Sequence, residues 1–384
     1  MKPGEIEDIL FHLGEEEFPY GAILPPVFHS VNYGDKDPEA LAERLAHELE
    51  RPLYTRGNNP TVALLRRKLA ALEGAEDSLV FSSGSAAMAA TVMSYVHAGD
   101  HVLCVQEAYS WTTRLLRDFL SRYGVTYSFA DGCEASAFLK GIQSHTRLVI
   151  LESPTSLFFN IQDIQYITTR CKELGIPVVV DNSCCTPLGQ RPLSLGADAV
   201  VHSVTKYLNG HGDVVAGVVC GSKDRIQKIF YGPYMTLGAV CSAEDAWKIL
   251  RGLRTFPLRF KKSCENLQVI LDALVGHPMV QSIRHPWYGT TETQALARRQ
   301  MSYPGGLFAL EFYPQDPARV KDAFRRLQRF KLAVSWGGFE SLALPYCVFP
   351  PQAGLPANMA RFYCGLDEPT ALLEDLLNLL KYLE

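Results

Sequence analysis

A chain of 384 residues is long enough for two or three domains and for a core that buries most of the surface exposed when unfolded. With 47% hydrophobic and 20% charged residues it is not a disordered chain, a collagen or a simple coiled coil. Its 37 Lys+Arg against 41 Asp+Glu, a net charge of −4, give no global attraction to nucleic acid or an anionic membrane.

Residues 1–57 read as an extended arm punctuated by Pro25 and Pro26, with one helix from Pro38 to Glu50 capped by Asp37. RPLYTRGNNPT follows as a loop. From Thr61 the pattern alternates: helix VALLRRKLAALEGA, strand SLVFSS, helix GSAAMAATVMSYV, strand HVLCVQ and helix WTTRLLRDFLSRYG closed by Gly124. Strand VTYSFA, helix ASAFLKGIQS, strand RLVILES, helix IQDIQYITTRCKELG and strand PVVVDNS continue it. Near-continuous apolar strands between amphipathic helices predict an α/β domain with a mostly parallel sheet buried on both faces.

After about Thr236 the pattern changes. A long helical stretch from Ala243 holds Pro257, which should kink or divide it. Strand-like GLFALEFY and KLAVSW and the helices ARVKDAFRRLQRF and ALLEDLLNLLKYLE suit a smaller C-terminal α+β domain. The expected division is an arm at 1–57, an α/β domain at 58–238 and an α+β domain at 239–384.

The ten cysteines form no Cys-x-x-Cys pair, and several, such as Cys104 and Cys220, sit in apolar runs. Buried free thiols suit a reducing cytoplasm. MKPGEIEDIL has no apolar signal core, and no apolar run approaches the ~18–20 residues of a membrane-spanning helix.

Five places carry chemistry. Lys206 follows the strand-like AVVHSV between Ser203 and Thr205. A lysine there suits a Schiff base, and the flanking hydroxyls suit a phosphate. Asp181 ends the apolar run PVVVD, where a carboxylate faces the ligand crevice and suits a pyridinium nitrogen. FSSGSAAM reads as strand, turn and helix N-terminus, an anion site that Gly84 lets a phosphate approach. Tyr109, just after HVLCVQ, suits stacking on a planar group. Arg361 suits bidentate grip of a carboxylate. His202, His211 and Asp213 lie near Lys206 but have no further ligand at useful spacing, so no metal is expected. Gly210-His211-Gly212 lacks the third glycine of a dinucleotide fingerprint.

In this order, and with YTRGNNPT at Tyr54, ESPTS at Glu152, RGLRT at Arg251, SWGGFESLALP at Ser335 and RFYCGLD at Arg361, the chain resembles the Cys/Met-metabolism family of pyridoxal-phosphate (PLP) enzymes from about Ile23 onward. The resemblance implies a large domain of the PLP-dependent aminotransferase-like fold (fold type I). It implies Lys206 as the Schiff-base lysine, Asp181 at the pyridine nitrogen and Tyr109 as the stacking and proton-shuttling tyrosine. Gly84, Ser85, Ser203 and Thr205 match phosphate ligands. Tyr54 and Arg56 match a pair reaching the phosphate from a neighbouring subunit, hence a homo-oligomer, a tetramer of two dimers. Arg361 matches the arginine that binds the substrate carboxylate, with Ser335 beside it.

Departures from the family bear on the reaction. Ser85 stands where many members have Met, and Ser156 where γ-acting members show Asn followed by Pro. Trp111 replaces the Cys of methionine γ-lyases. Val334 replaces the Glu of cystathionine γ-enzymes or the Tyr of some β-lyases, and a Val cannot bind the distal ammonium of cystathionine. SWGGFESL, with Trp336, leans toward β-lyases. The expected enzyme is a PLP-dependent carbon–sulfur lyase working by β-elimination on an amino-acid substrate. The alternative is γ-elimination or γ-replacement at the same site.

Overall fold

Seven strands form the large sheet of the computed structural model, which describes residues 2–350 and 353–384. They are β1 (Asp77–Phe81), β2 (His101–Val105), β3 (Thr126–Ala130), β4 (Thr146–Glu152), β5 (Val178–Asp181), β6 (Ala199–Ser203) and β7 (Gly217–Gly221). Their spatial order is β1-β7-β6-β5-β4-β2-β3, and β7 alone runs against its neighbours. Five shorter strands make a second sheet: β8 (Val280–Arg284), β9 (Leu307–Phe312), β10 (Lys331–Leu332), β11 (Leu342–Pro345) and β12 (Met359–Tyr363), in the order β10-β11-β12-β9-β8.

Two cores sandwich the large sheet, and the strand alternation separates them. Leu79, Phe81 and Val219 pack with Met88, Leu116 and Ile167 on one face. Val80, Val218 and Cys220 pack with Leu65, Leu69 and Ile249 on the other. Full burial of each such side chain contributes about 1.5–3 kcal/mol, which explains why apolar residues run almost unbroken along these strands. A third core, with Phe308, Phe362, Leu376 and Leu380, lies under the second sheet.

The sequence-based elements stand with some corrections. The long C-terminal stretch divides into Ala243–Leu253 and Phe256–Leu274, with Pro257 in the first turn of the second helix, where its missing N–H costs nothing. The helix expected over 38–50 stops at Ala46, and the arm holds further helical turns at Pro3–Glu7 and Asp8–His12. The segment from Trp111 to Gly124 is α-helical only over Ser110–Arg114 and continues as a π-turn and a 3₁₀ turn. The strand expected at KLAVSW shrinks to Lys331–Leu332, because Ser335 takes a left-handed φ of 76° and ends the extended path. The arm lies partly on its own chain: Leu10 is buried, Glu15 pairs with Lys68 at 3.0 Å, and the Trp247 indole donates to the Pro25 carbonyl.

The antiparallel β7 brings Gly217 beside Phe81 and Ser203 in register. A Cβ at 217 would lie 2.3 Å from the Ser83 oxygen and 2.6 Å from Gly84 Cα. The turn after β1 therefore packs directly on bare backbone. Gly217→Ala should lower unfolding free energy by about 1–3 kcal/mol, read as a fall in the urea midpoint at constant m-value.

Candidate active site

Parallel strands bring their C-terminal ends to one edge, and the chemistry-bearing residues gather there. Asp181 ends β5 and Glu152 ends β4, and the two are direct cross-strand neighbours. Tyr109 follows β2, Gly84 follows β1, and Lys206 lies in the turn after β6. The second sheet supplies Arg361, in the middle of β12, and the loop after β10 supplies Ser335.

Lys206 Nζ donates to the Ser335 hydroxyl and sits 5.2 Å from the Trp336 ring centroid. Burial pushes this lysine down to about 8; Arg361 adds to the shift and Asp181 opposes it. The left-handed backbone at Ser335 turns its side chain to the lysine, and the space comes from Gly337 next to it. A Cβ there would lie 2.8 Å from the Tyr207 nitrogen. Arg361 is 8% exposed; its Nη1 donates to the Ser156 carbonyl at 3.3 Å and its Nη2 to the Ser335 carbonyl at 3.4 Å. Residue 335 thus touches both the amine and the guanidinium.

Ser183 gives its N–H (3.0 Å) and its hydroxyl (2.6 Å) to the same Asp181 oxygen, Oδ1, and no hydrogen bond among the described residues reaches Oδ2. The Ser183 oxygen also accepts the Ser203 N–H at 2.7 Å, tying β5 to β6. Burial raises the proton affinity of Asp181, while Ser183, His202 and Lys206 pull it back. Behind the sheet edge, His202 Nε2 meets Glu73, whose carboxylate also accepts from Asn182.

Gly84 and Ser85 open the Gly84–Met93 helix, whose first N–H groups have no acceptor within the helix. Ser83 caps it by accepting from Ala86. A Cβ on Gly84 would lie 2.9 Å from Ser203 Cβ, so the glycine brings this helix end against Ser203. The Thr205 hydroxyl donates to the Ala216 carbonyl and accepts the Ala216 N–H, at 3.2 and 3.0 Å, which braces the lysine turn.

Tyr109 is half-exposed, and its N–H donates to Glu152 at 2.6 Å. Burial, with Asp181 and Glu152 nearby, raises its phenol above the ordinary range. Trp111 and Val334 are open to solvent, at 56% and 69% exposure. Tyr54 and Arg56 pack on each other, and no side-chain hydrogen bond among the described residues joins them to this cluster. His211 and Asp213 are held by Asn209, and among the described residues no group of three or more His, Cys, Asp or Glu is placed to hold a metal.

Sequence reasoning passes over two residues here. Ser183 is legible as a hydroxyl two positions after a strand-ending acid. Glu152 stands within ESPTS without a role, though it ends an apolar strand as Asp181 does.

The donor set fits PLP. A lysine brought toward neutrality suits its aldehyde, an acid with one open oxygen suits its ring nitrogen, and bare backbone between a helix N-terminus and Ser203 suits its phosphate.

Comparison with known proteins agrees. The family model described as "Cys/Met metabolism PLP-dependent enzyme" matches residues 7–381. An L-methionine gamma-lyase of Pseudomonas putida is 35% identical over 99% of this chain and 98% of that protein. A cystathionine beta-lyase of Coxiella burnetii is 32% identical over 98% and 97%. The solved cystathionine gamma synthase of Xanthomonas oryzae pv. oryzae, in complex with cystathionine, superimposes with a TM-score of 0.91 at 29% identity, covering 100% of this chain and 99% of that one. The chain belongs to the Cys/Met-metabolism family of PLP-dependent enzymes and, like it, has the fold type I architecture and uses PLP.

Proposed function

We propose that this enzyme is a carbon–sulfur lyase that removes the Cα proton of a sulfur amino acid and expels a thiol from Cβ, giving pyruvate and ammonia. The observation that carries it is the double contact of residue 335: the Ser335 hydroxyl meets Lys206 Nζ, and its carbonyl meets Arg361. A substrate carboxylate held by Arg361 is thereby brought to the lysine that takes the proton. PLP, when bound, supplies the electron sink for the charge left at Cα. Asp181 Oδ2 is the oxygen available to keep the ring nitrogen protonated.

Gly84, Ser85 and Ser203 would hold the phosphate, with Thr205 bracing the turn between them. Tyr109 would stack on the ring, and its phenol, protonated at neutral pH and raised further by burial, would donate its proton to the departing thiolate. The sulfur-carrying part of the substrate would meet Trp111 and Val334, which favours an uncharged substituent. Bond changes balance: the Cβ–S bond breaks, the sulfur gains a proton, and the enamine left behind hydrolyses.

A second reading is γ-elimination, supported by the 35% identity to a protein named methionine gamma-lyase. There Lys206 would take a second proton, from Cβ, and the product would be 2-oxobutyrate. Under either reading the arm (1–57), with Tyr54 and Arg56, would complete the phosphate site of a neighbouring copy in a homotetramer. The α/β part (58–238) would hold PLP and the α+β part (239–384) the substrate carboxylate. No helix among the described residues is long and apolar enough to cross a membrane, and a cytoplasmic location fits the free thiols.

Three outcomes test this. Of L-cystathionine, L-cysteine, L-methionine and O-acetyl-L-homoserine, the PLP-loaded enzyme should give pyruvate from the first two and no keto acid from the others; 2-oxobutyrate would move it to the γ branch. Lys206→Ala should abolish turnover, and retained turnover defeats the assignment. Since the neutral amine of Lys206 grows as pH rises toward its value of about 8, PLP uptake by the apoprotein should quicken about tenfold per pH unit below that point and then level off. An uptake rate still climbing toward pH ~10, followed by visible absorbance, would mark an ordinary lysine.

A further inference from the structure

Glu152 is buried, yet none of the roles above uses it. Its carboxylate accepts the Tyr109 N–H at 2.6 Å through Oε2 and the Ser156 hydroxyl through Oε1. The Ser156 carbonyl in turn accepts from Arg361 Nη1 at 3.3 Å. One carboxylate therefore reaches two segments that come from different parts of the chain: the turn after β2 that carries Tyr109, and the loop after β4 that meets Arg361 of β12. Its strand neighbour is Asp181. Burial and the adjacent Asp181 raise the proton affinity of Glu152, so keeping an acid here is costly. An acid retained at such cost needs contacts that an apolar residue would not give.

We infer that Glu152 is a positioning residue: it fixes the ring of Tyr109 and, through Ser156, the guanidinium of Arg361 in one frame. The inference rests on the roles of Tyr109 and Arg361 proposed above. It makes the geometry of two hydrogen bonds, not the charge, the quantity that matters. A Gln at 152 keeps both bonds, because its carbonyl accepts from Tyr109 and its amide donates to the Ser156 oxygen. An Ala keeps neither.

The test compares the PLP-loaded wild type with Glu152→Ala, Glu152→Gln and Ser156→Ala, by steady-state kinetics and by visible circular dichroism of the bound PLP. Dichroism reports the asymmetry that Tyr109 imposes on the ring and needs no turnover. Glu152→Ala should raise KM and lower kcat, with kcat/KM down at least about tenfold, and weaken the dichroism, whereas Glu152→Gln should stay within about threefold of wild type with its dichroism retained. Ser156→Ala removes the hydroxyl that ties this loop to Glu152 and keeps the carbonyl that Arg361 meets, so it loosens only the Arg361 branch, and its loss should fall mainly on KM, about threefold, with the dichroism retained. Glu152→Ala indistinguishable from wild type, or Glu152→Gln as impaired as Glu152→Ala, overturns the inference. If Glu152→Ala does not fold, Ser156→Ala decides: a raised KM supports the inference and a wild-type KM overturns it. If the wild type yields no keto acid, the functional reading fails by itself, and the dichroism of Glu152→Ala against Glu152→Gln still decides the role of Glu152.

Discussion

Ionisable groups withdrawn from water at one sheet edge are the constraint that the rest of this structure answers. Glu152 and Arg361 are buried, and Lys206 and Asp181 are half-buried. Each such group is unstable without a partner, and each has one. Ser183 gives Asp181 two hydrogen bonds, Tyr109 and Ser156 give Glu152 two, Ser335 receives Lys206, and two backbone carbonyls receive Arg361. The partners are strand ends and the loops that follow them, so the fold and the electrostatics of the site are one problem. Even behind the edge the pattern continues, with His202, Glu73 and Asn182 joined in the buried interior.

Close backbone approach is the second requirement, and glycine meets it at two places. Gly217 on the single antiparallel strand and Gly84 at the helix start leave no room for a side chain between the turn after β1 and Ser203. An anion at that point meets backbone N–H groups directly. At the other end Gly337 lets the loop after β10 lie directly against the backbone of Lys206 and Tyr207, where an added Cβ would come within 2.9 Å. The second sheet is thus held against the first where Ser335 meets both Lys206 and Arg361.

Much of this is legible in the amino-acid sequence alone. Apolar runs mark β1, β2, β4, β5 and β6, because strands buried on both faces leave a continuous signal. Asp181 and Lys206 are legible because strand-end polar residues break that signal abruptly. β8, β11 and β12 are not, since VQSIR, LALP and MARFY are short and carry little periodicity. The π-turn after Arg114 has the same composition as an α-helix, so nothing in the residues separates the two. KLAVSW has strand propensity throughout, and only the tertiary contact of Ser335 overrides it. Spacing from Lys206 points the Thr205 hydroxyl toward a phosphate, but spacing does not reveal that Ala216 lies opposite.

The same division separates the residues tied into the buried edge from those that stand free of it. The proton-handling groups sit where burial and hydrogen bonding leave little freedom, so a change there costs stability as well as rate. Trp111 and Val334 stand at the rim, more than half exposed, with no hydrogen bond of the reaction centre resting on their side chains. Substitution there costs little folding energy. Residues 111 and 334 are accordingly free to vary at little cost in stability, whereas Glu152, Asp181, Lys206 and Arg361 are each tied to a partner.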